Sequence, residues 1–106
     1  MNGGPEPDAR ADAVREALRG VIDPELGIDI VSLGLVYGVE VIGSQAFVRY
    51  TLTSMGCPVG PMIASEISQL ASEVEGIDAV HAEVTFDPPW TPDRMDEDGR
   101  LALGFF

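Results

Sequence analysis

The chain has one cysteine, one histidine, and six basic residues against eighteen acidic ones in 106 positions. One cysteine cannot close an internal disulfide, and with a single histidine it cannot build a closed zinc site of nitrogen and sulfur ligands. The shortage of positive charge leaves a formal net charge of −12. Such a surface repels nucleic-acid phosphates and anionic lipid, which argues against nucleic-acid and membrane-surface roles. No apolar run approaches the roughly 18 residues of a membrane span. Residues 1–11 are polar and rich in glycine and proline, without the apolar stretch of a secretory leader. There is no repeat and no low-complexity tract. The expectation is a cytoplasmic protein carrying a reduced thiol.

What is present suffices for one small domain. The composition is 45% hydrophobic, enough for a two-layer core at this length. Residues 1–7 read as a disordered lead-in and residues 8–106 as the single domain. A helix is expected from about Asp8 to Arg19, because Val14, Leu18 and Val21 recur at helical spacing, with Asp8 or Asp12 as its cap. A strand follows over 35–42, then a hairpin signal at Gly43-Ser44. The return strand runs from Gln45 to Thr53, with Val48, Tyr50 and Leu52 on an apolar face and Arg49, Thr51 and Thr53 on a polar one. A second helix starts between Pro58 and Pro61 and continues to Glu75, on Ile63, Ile67, Leu70 and Val74, with Gly76 closing it. With Cys57 as its cap, Pro61 would remove the first helical hydrogen bond, so the start lies later. A third strand spans 77–86, with Val80, Ala82, Val84 and Phe86 on one face, and Asp87-Pro88-Pro89 stops it. The tail from Met95 to Phe106 reads as a weak helix interrupted by Gly99. The order α-β-β-α-β predicts an α+β fold in two layers, a small mixed sheet covered by helices on one face. The pairing partner of the third strand stays open.

Chemistry centres on Thr51-Leu52-Thr53-Ser54-Met55-Gly56-Cys57-Pro58. Cys57 precedes a helix, where backbone N–H groups and the helix dipole favour a thiolate. The competing reading is a small buried hydrophobe, the usual fate of an unpaired cysteine. Asp23 and Glu25 flank Pro24 in a loop. They are candidates for proton transfer, metal binding or a partner ion pair, or simply a turn whose carboxylate satisfies its own backbone. Thr51 and Thr53 either orient the cysteine loop or decorate an exposed strand face. His81 reads as a half-exposed strand residue, and Trp90 as a core plug or interface anchor. Gly56 and Gly60 lack the lysine of a phosphate loop.

Read together, Asp23-Pro24-Glu25, Gly34-Leu35-Val36-Tyr37, Thr51-Leu52-Thr53 with Gly56-Cys57-Pro58, and Trp90 resemble the PaaD- and SufT-like iron–sulfur assembly domain. That domain is similar to the eukaryotic cytosolic iron–sulfur targeting factor and to an N-terminal extension of some Mrp/Nbp-type P-loop ATPases. The resemblance covers about Val14 to Phe105. It implies an iron–sulfur assembly fold and an accessory factor that carries or targets a cluster or iron to apo-proteins, rather than a turnover enzyme. It implies Cys57 as the key residue, with Asp23, Glu25, Thr51 and Thr53 near it and a transient iron–sulfur cluster or iron as cargo. Its partners would be the assembly machinery and apo-protein clients. Clusters take mostly four protein ligands, so Cys57 would share its cargo, for example across a homodimer. A metal-independent adaptor and a thiol-based redox protein are the alternatives. The redox reading lacks a second, resolving cysteine. A KH-type RNA module, suggested by the element order, is opposed by the charge and by the missing Gly-x-x-Gly loop.

Overall fold

The structure, a computed structural model, describes residues 9–53 and 58–104. The lead-in, the cap Asp8, Cys57 and the Phe105-Phe106 pair lie outside the described residues. Helix α1 covers Ala9–Ala17 and runs into a 3-10 turn, Leu18–Gly20. Val14, Leu18 and Val21 are fully buried, as their spacing predicts. Each contributes on the order of 1.5–3 kcal/mol through burial. Asp12 sits inside the first turn of α1 rather than at its cap. Two short strands follow, β1 (Ile22–Asp23) and β2 (Ile28–Asp29), paired antiparallel around the Pro24 turn. The sequence reading had only a loop there, because two-residue strands carry no periodicity.

The main sheet contains β3 (Val36–Ile42), β4 (Gln45–Tyr50) and β5 (Ala79–Val84), in the order β3-β4-β5. Strands β3 and β4 form the expected hairpin, in register from Ile42↔Gln45 to Val36↔Tyr50 with an irregularity between Val36 and Gly38. The open question of β5 is settled: it pairs parallel with β4, from Gln45↔Ala79 to Tyr50↔Val84. The chain crosses between these two strands through α2 (Gly60–Ser72). Helix α1 lies against β3 and α2 against β5. Ala46, Val48 and Tyr50 of β4 are buried together with Ile63, Ile67 and Ala71 of α2. On the opposite face of the sheet the Phe47 and His81 rings stack 4.7 Å apart.

Several boundaries differ from expectation. Strand β4 ends at Tyr50, three residues early, although the Thr51 N–H still donates at 2.8 Å to the carbonyl of Leu35, the next partner in the β3-β4 register. Thr51 is fully buried instead of lying on a polar outer face. Helix α2 begins at Gly60 with Val59 as N-cap and Pro61 in its first turn, where a missing N–H costs nothing. It stops at Ser72, and Gly76 turns the chain only four residues later. Val84 at the end of β5 is 45% exposed, past the cover of the helices.

The tail is better built than its sequence suggests. A 3-10 turn at Pro92–Arg94 leads to α3, Glu97–Leu103. The Asp96 side chain caps α3 by accepting from the Gly99 N–H at 2.9 Å. Gly99 does not break the helix, because it is the contact point of the tail. A Cβ there would come 2.6 Å from the Ser32 carbonyl oxygen. Gly34 plays the same part from the other side: its φ is +77°, and a Cβ would overlap the Arg94 carbonyl. Trp90 Nε1–H donates to the Leu33 carbonyl at 2.6 Å, and the Asp96 N–H to that of Ser32 at 2.9 Å. Residues 90–99 are thus strapped across the 29–35 turn.

Candidate functional site

The acidic turn is built around Asp23. This residue is 1% exposed, unusual for a carboxylate unless it is satisfied from within. Its Oδ1 accepts from the Glu25 N–H at 2.8 Å and the Leu26 N–H at 3.3 Å, and its carbonyl accepts from the Gly27 N–H at 2.7 Å. Pro24 cannot donate, and it keeps Asp23 extended so that the side chain folds forward over its own turn. Of the two carboxylates the sequence nominates, only Glu25 is exposed.

A run of backbone bonds joins this turn to the strand that feeds the cysteine loop. The Ile30 N–H donates to Val21 at 2.9 Å, Leu35 to Ile30 at 2.9 Å, and Thr51 to Leu35 at 2.8 Å. Residues 21, 30, 35 and 51 are thereby stitched together one after another. Thr51 completes the run with its hydroxyl 3.5 Å from the Leu52 carbonyl, at the outer limit of a hydrogen bond. Thr53, by contrast, is half-buried. Leu35 is fully buried and supplies the acceptor for Thr51. The sequence reading missed its part, since an apolar residue in an apolar stretch gives no hint of what its backbone does.

The loop leaves and returns at one place. Leu52 is 8% exposed, and a Cβ on Gly60 would lie 3.0 Å from Leu52 Cδ1. The end of β4 and the start of α2 are packed against each other, and the connection between them holds Cys57. Val59 is the N-cap of α2, so Cys57 stands two positions before it in sequence. No acidic side chain occupies the first turn of α2. The first helical bond is donated by Ile63 to Val59 at 3.0 Å, which leaves the Gly60 and Met62 N–H groups facing the helix start. Among the described residues, no group of three His, Cys, Asp or Glu could hold a metal ion. Burial raises the Tyr50 phenol above its ordinary value just before this loop. On the far side of α1, Arg19 is raised chiefly by its hydrogen bond to Glu16, with Asp29 and Asp96 adding to it.

Trp90 packs partly buried against the core and pins the 29–35 turn from outside. His81 is exposed, with Nε2 2.8 Å from Gln45 Oε1. It sits on the sheet face turned away from the helices, apart from the acidic turn.

A parallel-antiparallel three-stranded sheet, two helices on one face and a thiol loop at the end of the central strand define a small α+β assembly-type domain. Comparison with known proteins sharpens this. The chain belongs to the iron–sulfur cluster assembly protein family, whose model matches residues 11–84. It is 39% identical over 98 residues to the Fe-S protein maturation auxiliary factor YitW of Bacillus subtilis, covering 92% of this chain and 96% of that one. It is 48% identical over 85 residues to the Fe-S protein maturation auxiliary factor SufT of Staphylococcus aureus, covering 79% and 97%. The crystal structure of a domain of unknown function from Bacillus anthracis superposes with a TM-score of 0.88 at 38% identity, over 92% of this chain and 94% of that one. The fold and family expected from the sequence motifs are both met.

Proposed function

We propose that this protein is an accessory factor in iron–sulfur protein maturation, and that it hands a cluster or iron to apo-protein clients through Cys57. The accessory role follows from family membership and from relatives that are themselves named maturation auxiliary factors. The part assigned to Cys57 rests on one observation: the chain's only thiol lies in the connection whose two ends, Leu52 and Gly60, are packed together. The described ends of that connection, Leu52 and Gly60, fix where it leaves and rejoins the domain. Glu25 is exposed on the acidic turn. Asp23 is already committed through Oδ1 to its own turn.

That commitment also favours a second reading, in which the domain brings assembly machinery and client together without touching the metal. Anaerobic reconstitution with iron and sulfide separates the two. Direct carriage predicts a sulfur-to-iron charge-transfer absorbance in the wild type that is lost in Cys57→Ala. If both proteins give the same spectrum, carriage through Cys57 is wrong and the adaptor reading stands.

A further inference from the structure

The chain holds six basic residues in all, and three of them, Arg15, Arg49 and Arg94, line one cleft of about 680 Å³. Half of the positive charge of a strongly acidic protein is thus gathered at one concavity. The three come from separate parts of the fold: α1, β4 and the 3-10 turn after Trp90. Val31, Val36 and Pro88 add apolar side chains to the lining, with Val36 itself almost wholly buried.

None of the three guanidiniums is engaged in a strong ion pair among the described residues. Arg94 places its guanidinium carbon over the Tyr37 ring, 4.8 Å from its centre. Tyr37 is held in turn by donating its hydroxyl to the Pro88 carbonyl at 2.8 Å. Arg49 meets Glu83 only at 3.9 Å, with both side chains mostly exposed. A pair between two largely exposed side chains is weak and yields to a better partner. Arg19 shows the contrast, being surrounded by Glu16, Asp29 and Asp96 within 4 Å.

We propose that this cleft docks an acidic peptide segment of a protein partner, with carboxylates on Arg15, Arg49 and Arg94 and apolar side chains against Val31 and Pro88. Arginine forks match carboxylates in paired hydrogen bonds. Asp87 and Asp93 also line the cleft. They work against a compact dianion such as phosphate, and they offer acceptors to the N–H groups of a peptide backbone. The volume falls within the roughly 300–1,000 Å³ of small-ligand pockets, room for a few side chains. The chain's overall negative charge does not forbid an acidic partner. Distant carboxylates are screened beyond about 8 Å at physiological salt, whereas the cleft arginines act at contact. The assignment does not depend on what Cys57 does.

The test is selection of a phage-displayed library of random twelve-residue peptides on the full chain, followed by titration of the enriched peptides by fluorescence anisotropy. The enriched sequences should combine Asp or Glu with apolar residues. Each of Arg15→Gln and Arg94→Gln should weaken them by about tenfold, the scale of one charged hydrogen bond. Arg10→Gln removes the same charge outside the cleft and should leave binding unchanged, as should Cys57→Ala. Circular dichroism melting confirms that each variant is folded, and Arg15→Lys, which keeps the charge but loses the fork, should fall between wild type and Arg15→Gln. The proposal is overturned if no sequence is enriched, if the enriched peptides carry no acidic excess, or if Arg10→Gln weakens binding as much as the cleft variants. Displacement of the peptides by inorganic phosphate at constant ionic strength would make the cleft a small-oxyanion site and overturn it too.

Discussion

Substituting Asp23 separates its work in the turn from any work it does on a cargo. The buried Oδ1 accepts two backbone N–H bonds, at 2.8 and 3.3 Å. A hydrogen bond to a charged acceptor contributes about 1.5–3 kcal/mol, and the longer of the two less than that. Asp23→Ala removes both. Glu25 and Leu26, which lose the acceptor, are exposed at the side-chain level, so water can reach part of the vacated turn and the cost settles near 2 kcal/mol. Asp23→Asn keeps an oxygen in the same place and removes only the charge assistance, roughly half the strength of each bond. It should cost about 1 kcal/mol. Equilibrium unfolding in urea, followed by the fluorescence of the single Trp90, reads both values. Equal losses for the two variants, or a loss under about 0.5 kcal/mol for Asp23→Ala, would refute the claim that the turn is built on this acceptor. If the numbers come out as argued, Asp23→Asn becomes the tool for asking about function. It is a folded protein without the charge, and a defect in client maturation would then belong to the carboxylate's chemistry and not to the turn.

Two further substitutions test the frame. Gly34→Ala combines a φ of +77° with a Cβ that overlaps the Arg94 carbonyl. The left-handed backbone alone costs about 1–2 kcal/mol, and the strap must also move, so a loss of about 3 kcal/mol is expected in the same unfolding assay. A loss under about 1 kcal/mol would mean the strap does not press on the turn. The Tyr50 phenol, raised by burial above 10.0, keeps its proton longer in the folded than in the unfolded chain. Its contribution is whole below pH 10 and is lost as the pH rises through the higher folded value. Tyr50→Phe should flatten the alkaline fall in stability measured across that range, and an unchanged slope would show that Tyr50 is not the titrating group.

Much of the fold was legible because its elements repeat a pattern. Ile63 and Ile67 keep helical spacing, Val48, Tyr50 and Leu52 alternate, and the Gly43-Ser44 pair marks the hairpin, so periodicity alone yields the order of elements. What periodicity cannot express is long-range backbone bonding. The Thr51 N–H continues the β3-β4 ladder to the Leu35 carbonyl, and Thr51 is buried although alternation puts it on the polar face. Propensity alone marks Gly99 as a helix breaker because it sees an isolated residue, while the reason for it is the Ser32 carbonyl pressed against it. The site was legible in part. Motif order pointed to the acidic turn and the cysteine loop, and the run of bonds from residue 21 to residue 51 ties the first to the entrance of the second. The burial of Asp23 was not legible, since exposed and buried Asx turns share one sequence. The arginine cleft gave no signal either, because Arg15, Arg49 and Arg94 are remote from one another until the sheet and the strap bring them together.

The supply of donors bears on how such a domain could handle an iron–sulfur cargo. A cluster calls for about four protein ligands, mostly thiolates. This chain has one cysteine and one histidine, and His81 is placed on the outer sheet face, stacked on Phe47 and in contact with Gln45. Of the two carboxylates in the acidic turn, Asp23 is held by its own backbone. Cys57 is the single thiol in the sequence, and one thiolate is fewer than a stored cluster requires. The remaining ligands would come from outside: a second copy, a small thiol, or the client that receives the cargo. Incomplete ligation suits transfer, because a cargo bound by few protein ligands can be taken by a client offering more. A rigid frame suits it for the same reason. The 29–35 turn is clamped by Gly34, Trp90 and Gly99, so that part of the frame needs no ordering when a partner docks.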